Sequence, residues 1–422
     1  MADGDEGMGL DAQRPRATGR LIVRFDPALD GAGRFGIVAN VAGREIALQA
    51  AGSASDDFGA AGPREAPCAA LLSRLGLCLV PMDRDMGTGA MMQRLEASEG
   101  VRSVRPEFYL FPASAPAPAS ALRPREPFRD SRGSTWGLSA TGAAQSRLTG
   151  RGIRLCVLDT GLDLTHPDFS ERAIVSRSFV EGEGVQDVQG HGTHCAGTAV
   201  GAALIDGRMR YGVAPEAELY VGKVLNDTGA GREGDILAGL VWAVEEGCQI
   251  VSMSLGRSVR PGEARTPEYE EAGAYALERG SLVVAAAGND SRREYGFVAP
   301  VSEPANAPSI LAVGALDPRL AVAPFSNGGV EGEGGEVDLA GPGVGVLSAV
   351  PIPRRYASFD GTSMACPHVA GLAALFAQGD ETLRGRALWD ALTAGAEALA
   401  EAARDVGAGL ARAPVEEDAP TS

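Results

Sequence analysis

From Trp136 to about residue 412, short and wholly apolar runs alternate with longer segments in which apolar residues recur every three or four positions. "GIRLCVLDTG", "AELYVGKVL", "QIVSMSLG", "SLVVAAAGN" and "SILAVGAL" read as buried strands, while "GHGTHCAGTAVGA" opens a helix and "GDILAGLVWAVEEG" is an amphipathic one. Strands that are apolar on both faces and separated by helices predict an α/β fold, a mainly parallel central sheet with helices on both faces. In such sheets functional residues gather beyond the carboxyl ends of the strands.

The pattern before Trp136 is different. Strand-like and helix-like runs alternate through "GRLIVRF", "IVANVAG", "TGAMMQRLEASEG" and "VRSVRPEFYLF", which predicts a small α+β domain over residues 18–112. Residues 113–135 are rich in Pro, Ala, Ser and Arg and read as an extended linker. The large domain then occupies 136–412, and residues 1–17 and 413–422 are expected to be disordered. No internal repeat is evident.

Composition narrows the functional classes. A chain of 422 residues with 45% hydrophobic content can bury one large core and a smaller one. Its longest apolar stretch, around "SLVVAAAG", is too short to span a membrane, and the acidic start lacks the features of a secretory signal. A cytoplasmic location is expected, with non-classical export left open. The formal net charge of −17 excludes a general nucleic-acid surface and favours a cationic substrate. The six cysteines lack paired zinc spacing and read as small buried hydrophobes in a reducing compartment, with Cys68 and Cys78 the pair to check for a disulfide.

Four segments carry candidate chemistry, and each has a plain structural alternative. Ser363 in "GTSMACPHVAG" opens a predicted helix, where it can be an N-cap or a nucleophile held beside backbone donors. Asp159 ends a strand, as a turn residue or as a carboxylate that orients an imidazole. His191 lies between glycines that allow close backbone approach, and Asn289 ends another strand as a turn residue or an oxyanion donor. Taken together they supply what serine needs to become nucleophilic: a base, a buried carboxylate behind it, and donors for the developing charge. Ser363 lacks the GxSxG elbow of lipases and esterases.

The segments "VLDTGLDLTHPDF", "GHGTHCAGT", "AAAGND" and "GTSMACPHVAG", in the order Asp, His, Ser, resemble the subtilisin-like (subtilase) serine peptidases over nearly all of residues 136–412. The resemblance implies that Asp159 orients the base, His191 acts as base then acid, Ser363 attacks, and Asn289 helps bind the oxyanion. It implies a protein or peptide substrate whose extended backbone pairs with Ser254, Leu255 and Gly256. Ala286, Ala287 and Gly288 of the "AAAG" segment would form the other wall of the pocket, with Ser302 and Glu303 near the segment that closes it. No cofactor is required. Structural calcium is left open, because Asp168 sits where one family ligand can fall while "GAALIDGRMRYG" lacks the asparagine-rich loop. His166, His194 and His368 read as structural, and Cys195 and Cys366 as thiols through which mercurials could inhibit. "GRLIVRF" and "EGVRSVRPEFYLF" resemble inhibitory, folding-assisting propeptides, so the chain is expected to be a monomeric proenzyme cut between Phe111 and Trp136, its N-terminal module an intramolecular inhibitor. A dedicated intracellular processing peptidase and a catalytically silent binding scaffold are the alternatives.

Overall fold

The computed structural model describes residues 15–42, 47–50, 68–82, 87–113, 126–201, 209–329 and 335–415. The chain begins with β1 (Ala17–Phe25), α1 (Gly31–Ala42), β2 (Ala47–Ala50), β3 (Cys68–Leu72), β4 (Leu77–Pro81), α2 (Thr88–Glu96) and β5 (Val101–Pro112). β1 lies between β4 and β5, antiparallel to both. Along β1 the side chains alternate: Leu21, Val23 and Phe25 meet Val38 of α1 and Met91 and Leu95 of α2, while Ile22 enters a core shared with the larger unit. This sheet is therefore covered on both faces, which is why Leu21, Ile22 and Val23 are all fully buried.

The larger unit contains α3 (Trp136–Thr141), β6 (Arg154–Asp159), β7 (Ile174–Ser178), α4 (His191–Val200), β8 (Glu218–Lys223), β9 (Gly231–Arg232), α5 (Glu233–Glu245), β10 (Ile250–Met253), β11 (Leu255–Gly256), α6 (Pro267–Glu278) and β12 (Leu282–Ala286). It continues with β13 (Leu311–Leu316), β14 (Leu339–Pro342), β15 (Val346–Ala349), β16 (Tyr356–Phe359), α7 (Thr362–Gly379), α8 (Gly385–Ala394) and α9 (Ala403–Val406). Seven strands form the central sheet in the order β14-β13-β12-β10-β6-β8-β7, every pair parallel. The expected α/β architecture is present.

The period-two alternation explains the unbroken apolar runs. In β12, Leu282, Val284 and Ala286 face the core that also holds Met364, Ala365 and Val369 of α7, and Val283 and Ala285 face the core of α5 and α6. Small residues let α7 pass close to α4: a Cβ on Gly371 would collide with Val213 and press on the Ala199 carbonyl. Five cysteines, including Cys78, are free and buried, so the Cys68–Cys78 disulfide does not form. Opposite Cys78 across the β3–β4 ladder stands Leu71.

The two units are joined by more than the covalent chain. β5 runs past the edge of its own sheet and lies between two short strands of the larger unit, pairing antiparallel with β9 and with β11. Residues 126–135 of the expected linker lie on the larger unit, with the Phe128 N–H donating to the Pro318 carbonyl and Asp130 accepting from Trp136 N–H. Among the described residues no helix is long and apolar enough to cross a membrane.

Candidate active site

Asp159 is the last residue of β6, fully buried, and its Oδ1 accepts the Thr160 N–H at 2.7 Å. His191 is the first residue of α4, after Gly190 in the left-handed region at φ 99°. Strand end and helix start are brought together by two glycines: a Cβ on Gly192 would strike the Gly161 carbonyl, and one on Gly161, itself at φ 104°, would strike the Val185 carbonyl. The Asp159 oxygens then lie 2.8 and 2.9 Å from His191 Nδ1. A carboxylate there only accepts, so Nδ1 carries the proton and Nε2 is the basic nitrogen. Nε2 is buried and has no hydrogen-bond partner.

Ser363 is the second residue of α7, and its side chain caps nothing. The cap position belongs to Gly361, at φ 151°, so the N-cap alternative is set aside. The Ser363 hydroxyl donates to the Ser254 carbonyl at 2.9 Å, and the Ser254 hydroxyl donates to the Ser363 carbonyl at 2.8 Å. No hydrogen bond joins Ser363 to His191 here. Cys195 packs against both residues, its sulfur 3.7 Å from His191 Nδ1 and 3.5 Å from the Ser363 backbone carbonyl. Burial pushes the Cys195 thiol well above its usual range, so it stays protonated and is no rival nucleophile.

Asn289 follows the end of β12. Its Oδ1 accepts both the N–H and the hydroxyl of Thr362, at 2.9 and 3.0 Å, which fixes the amide so that Nδ2 points the other way. Nδ2 donates to the carbonyl of Ala113, the residue after β5. The Ala113 N–H donates to the Ser254 carbonyl at 3.3 Å, and Pro112 and Phe111 pair with Leu255 and Gly256. Ser254, Leu255, Gly256 and Asn289 are thus gathered around one extended segment of this same chain. Leu110, three residues before Ala113, is fully buried among Leu255, Ile236 and other apolar groups, whereas Phe111 is exposed.

Ala286 and Ala287 are fully buried in the sheet, one on each side. Behind Gly288 stand Ser302 and Asn327, which a Cβ there would strike. Asn327 donates to Ser302 at 3.2 Å, and Ser302 donates to Asp290 at 3.3 Å. Glu303 lies outside this group, paired with Arg257.

The remaining histidines hold backbone. His166 Nε2 lies 2.9 Å from the Arg355 carbonyl, and His368 Nδ1 2.8 Å from that of Met364. His194 Nε2 reaches the carbonyls of Val346 and Ala357, with its ring stacked on Phe359 at 4.4 Å. Burial, then repulsion from His191, pushes His194 down to about 3, and burial pushes His368 down to about 4, so both are neutral. Asp168 accepts the hydroxyls of Tyr211, at 2.5 Å, and Tyr356, at 3.0 Å. Tyr356 also reaches the second oxygen, at 3.1 Å, so both carboxylate oxygens accept phenol hydroxyls.

Sequence reasoning missed Asp187. This buried carboxylate accepts from Gln189 N, Gly190 N, the Thr160 hydroxyl, and both the N–H and hydroxyl of Thr193, at 2.7 to 3.0 Å. Thr160 in turn accepts from Gly192 N at 2.8 Å. The only sequence signal is an acidic residue just ahead of a glycine-bounded helix start, where a carboxylate suits the free N–H groups.

The subtilase family profile matches residues 150–409. The chain belongs to the subtilase family. This subtilase is 44% identical over 247 residues to M-protease of Shouchella clausii (strain KSM-K16), a match covering 58% of this chain and 59% of that protein's length. Subtilisin Savinase of Lederbergia lenta is matched at the same identity over 84% of its length. The major intracellular serine protease of Bacillus subtilis (strain 168) is 39% identical over 242 residues, 55% of this chain and 70% of that protein.

Two tests follow, both in the Ser363→Ala chain. Asp187→Ala strands several buried donors and should lower the urea-unfolding free energy by about 3 kcal/mol; unchanged stability would remove Asp187 from its positioning role. His194 and His368 have depressed values, so their contribution is fully present above the ordinary 6.5 and is lost as pH falls toward about 3 and about 4. Glu233 and Asp338, pushed up to about 7 by burial, act in the opposite sense over the same range, so the chain is compared with one that also carries His368→Gln. Between pH 6 and 5 the parent should lose roughly 1.4 kcal/mol more than the variant, and parallel profiles would contradict the burial of His368 as a neutral ring.

Proposed function

We propose that this subtilase is a serine endopeptidase kept latent by its own N-terminal module. The observation that carries this reading is the Asn289 amide donating to the Ala113 carbonyl, on a strand paired along Ser254–Gly256, with the Asp159–His191 pair close by. That is the arrangement expected of a peptide held for acyl transfer, main-chain bonds giving affinity and the amide marking where negative charge develops.

In the proposed reaction the Ser363 hydroxyl leaves the Ser254 carbonyl and passes its proton to His191 Nε2 as Oγ attacks the substrate carbonyl carbon. Asp159 stabilises the imidazolium without taking the proton. The oxyanion is held by Asn289 Nδ2 and the N–H of Ser363, one of the donors that a helix start leaves free. His191 then protonates the departing amine, and water hydrolyses the acyl-enzyme by the same route in reverse. Within this reading the carbonyl on Asn289 belongs to the residue before the scissile bond, so the chain cuts itself between Ala113 and Ser114, inside the interval 111–136. Substrates are proteins or peptides. A reducing, cytoplasmic setting is supported by five free cysteines.

The test compares the full chain with Ser363→Ala by intact mass and by labelling with a serine-reactive phosphonate. The native chain should separate into residues 1–113 and 114–422 and take up the label, while the variant stays whole and unlabelled. If both remain whole and unlabelled, the peptidase reading fails. We also propose that Asp168 holds no calcium: melting of the Ser363→Ala chain in calcium and in excess chelator should agree within about 2 °C. A calcium-dependent gain of about 5 °C or more would overturn that.

A further inference from the structure

The end of the module that occupies the cleft carries a second anchor. Arg105 lies on β5, eight residues before Ala113, and its guanidinium bridges two carboxylates of the larger unit. Nη1 donates to Glu233 Oε2 at 2.9 Å, while Nε and Nη2 donate to Glu268 Oε2 at 3.1 and 3.0 Å. Glu233 begins α5 and Glu268 lies in the first turn of α6, and both are essentially without exposure. Glu233 Oε2 also accepts the Phe108 N–H at 2.8 Å, tying this pocket to the same strand that ends at Asn289. The hydroxyl of Tyr269, the residue after Glu268 in α6, is fully buried and without a hydrogen-bond partner.

Other cationic contacts between the units come from elsewhere in the module, Arg20 to Asp235 and Arg24 to Glu271 and, at 3.9 Å, to Glu268 from β1, and Arg74 to Glu245 from the turn before β4, and no single extended peptide would supply them. Arg105 differs because it travels on the strand that fills the cleft. Both of its carboxylate partners belong to the larger unit and stay behind when the module leaves. With the strand in place the two carboxylates are shielded from water and paired, and a planar guanidinium bridges them in a way that a lysine cannot copy.

We propose that Glu233 and Glu268 form a distal substrate subsite that selects an arginine eight residues before the residue whose peptide bond is cut. The proposal rests on the peptidase reading and deepens it: the partner is a peptide extended through the cleft, basic at its far end, with Leu110 and Ala113 of the module marking the apolar and small positions nearer the cut. The net charge of −17 draws such peptides toward the site.

The test uses the full chain after it has processed itself. Two synthetic peptides with the sequence of residues 104–117, one native and one with Arg105→Gln, are mixed in one vessel. Their relative rates of consumption give the ratio of kcat/KM, and the share of enzyme still covered by the module cancels. The arginine peptide should be favoured about tenfold, a lysine version should fall between, and the preference should shrink toward unity in full chains carrying Glu268→Gln or Glu233→Gln. Either variant suffices if the other fails to fold. Equal consumption of the two peptides, or a preference undiminished in both variants, overturns the subsite and leaves the carboxylates as a dock for the module alone. If neither peptide is cut and the chain stays whole, the peptidase reading falls and takes the subsite with it.

Discussion

The contact of Asp159 with His191 sets the terms for the rest of the molecule. A buried carboxylate and an imidazole at 2.8 Å require the end of β6 and the start of α4 to approach more closely than side chains normally allow. Gly161 and Gly192 make that approach sterically free, and Asp187 with Thr160 satisfies the backbone donors exposed by it. Because β6 is central in the parallel sheet, the carboxylate is fixed by strands on both sides. The neighbouring strand β10 leads directly into Ser254, and β12, on the far side of β10, ends three residues before Asn289.

How much of this was legible in the sequence depended on the range of the interaction concerned. The central sheet could be read because each buried strand is a short apolar run and each helix a periodic one, both local properties. The candidate residues could be read as types, since a turn at the end of an apolar strand or the start of a helix is also local. Their surroundings could not. Asp187 looks like any loop carboxylate until Thr193 and Gly190 fold over it. The Ser363 hydroxyl can turn to several acceptors, and nothing in "GTSMACPHVAG" says that it donates to Ser254. Arg105 and Glu233 are 128 residues apart, and no pattern in either segment anticipates the pair. Asp168 reads from its position only as a place where a calcium ligand can fall, with calcium left open, and nothing near it in sequence announces that Tyr211 and Tyr356 close on its carboxylate.

The two units meet through unlike chemistry on neighbouring patches. Ile22, Leu79 and Leu110 of the smaller unit enter an apolar core built mainly by α5. Around it the buried Glu107 and the partly buried Arg20 and Asp235 form a charged group, with Glu107 also accepting the Gly234 N–H at the start of α5. Burial opposes ionisation of Asp235 and raises it, while Arg20 holds Glu107 below the usual carboxylate range even though burial works the other way. Apolar area supplies attraction, and the charges penalise any other register, since a shifted strand would leave them buried and unpaired.

β5 is held on both edges, by β1 within its own unit and by β9 and β11 across the gap. Severing the chain beyond its last residue removes none of those ladder bonds. What it removes is the tether, which had kept the strand's local concentration near its groove independent of how much protein surrounds it. A cut chain therefore becomes a two-body complex, and the fraction of grooves left open is set by dilution and by whatever consumes the departed piece. On the proposed reading, inhibition written into one polypeptide turns, after a single scission, into a matter of volume and time.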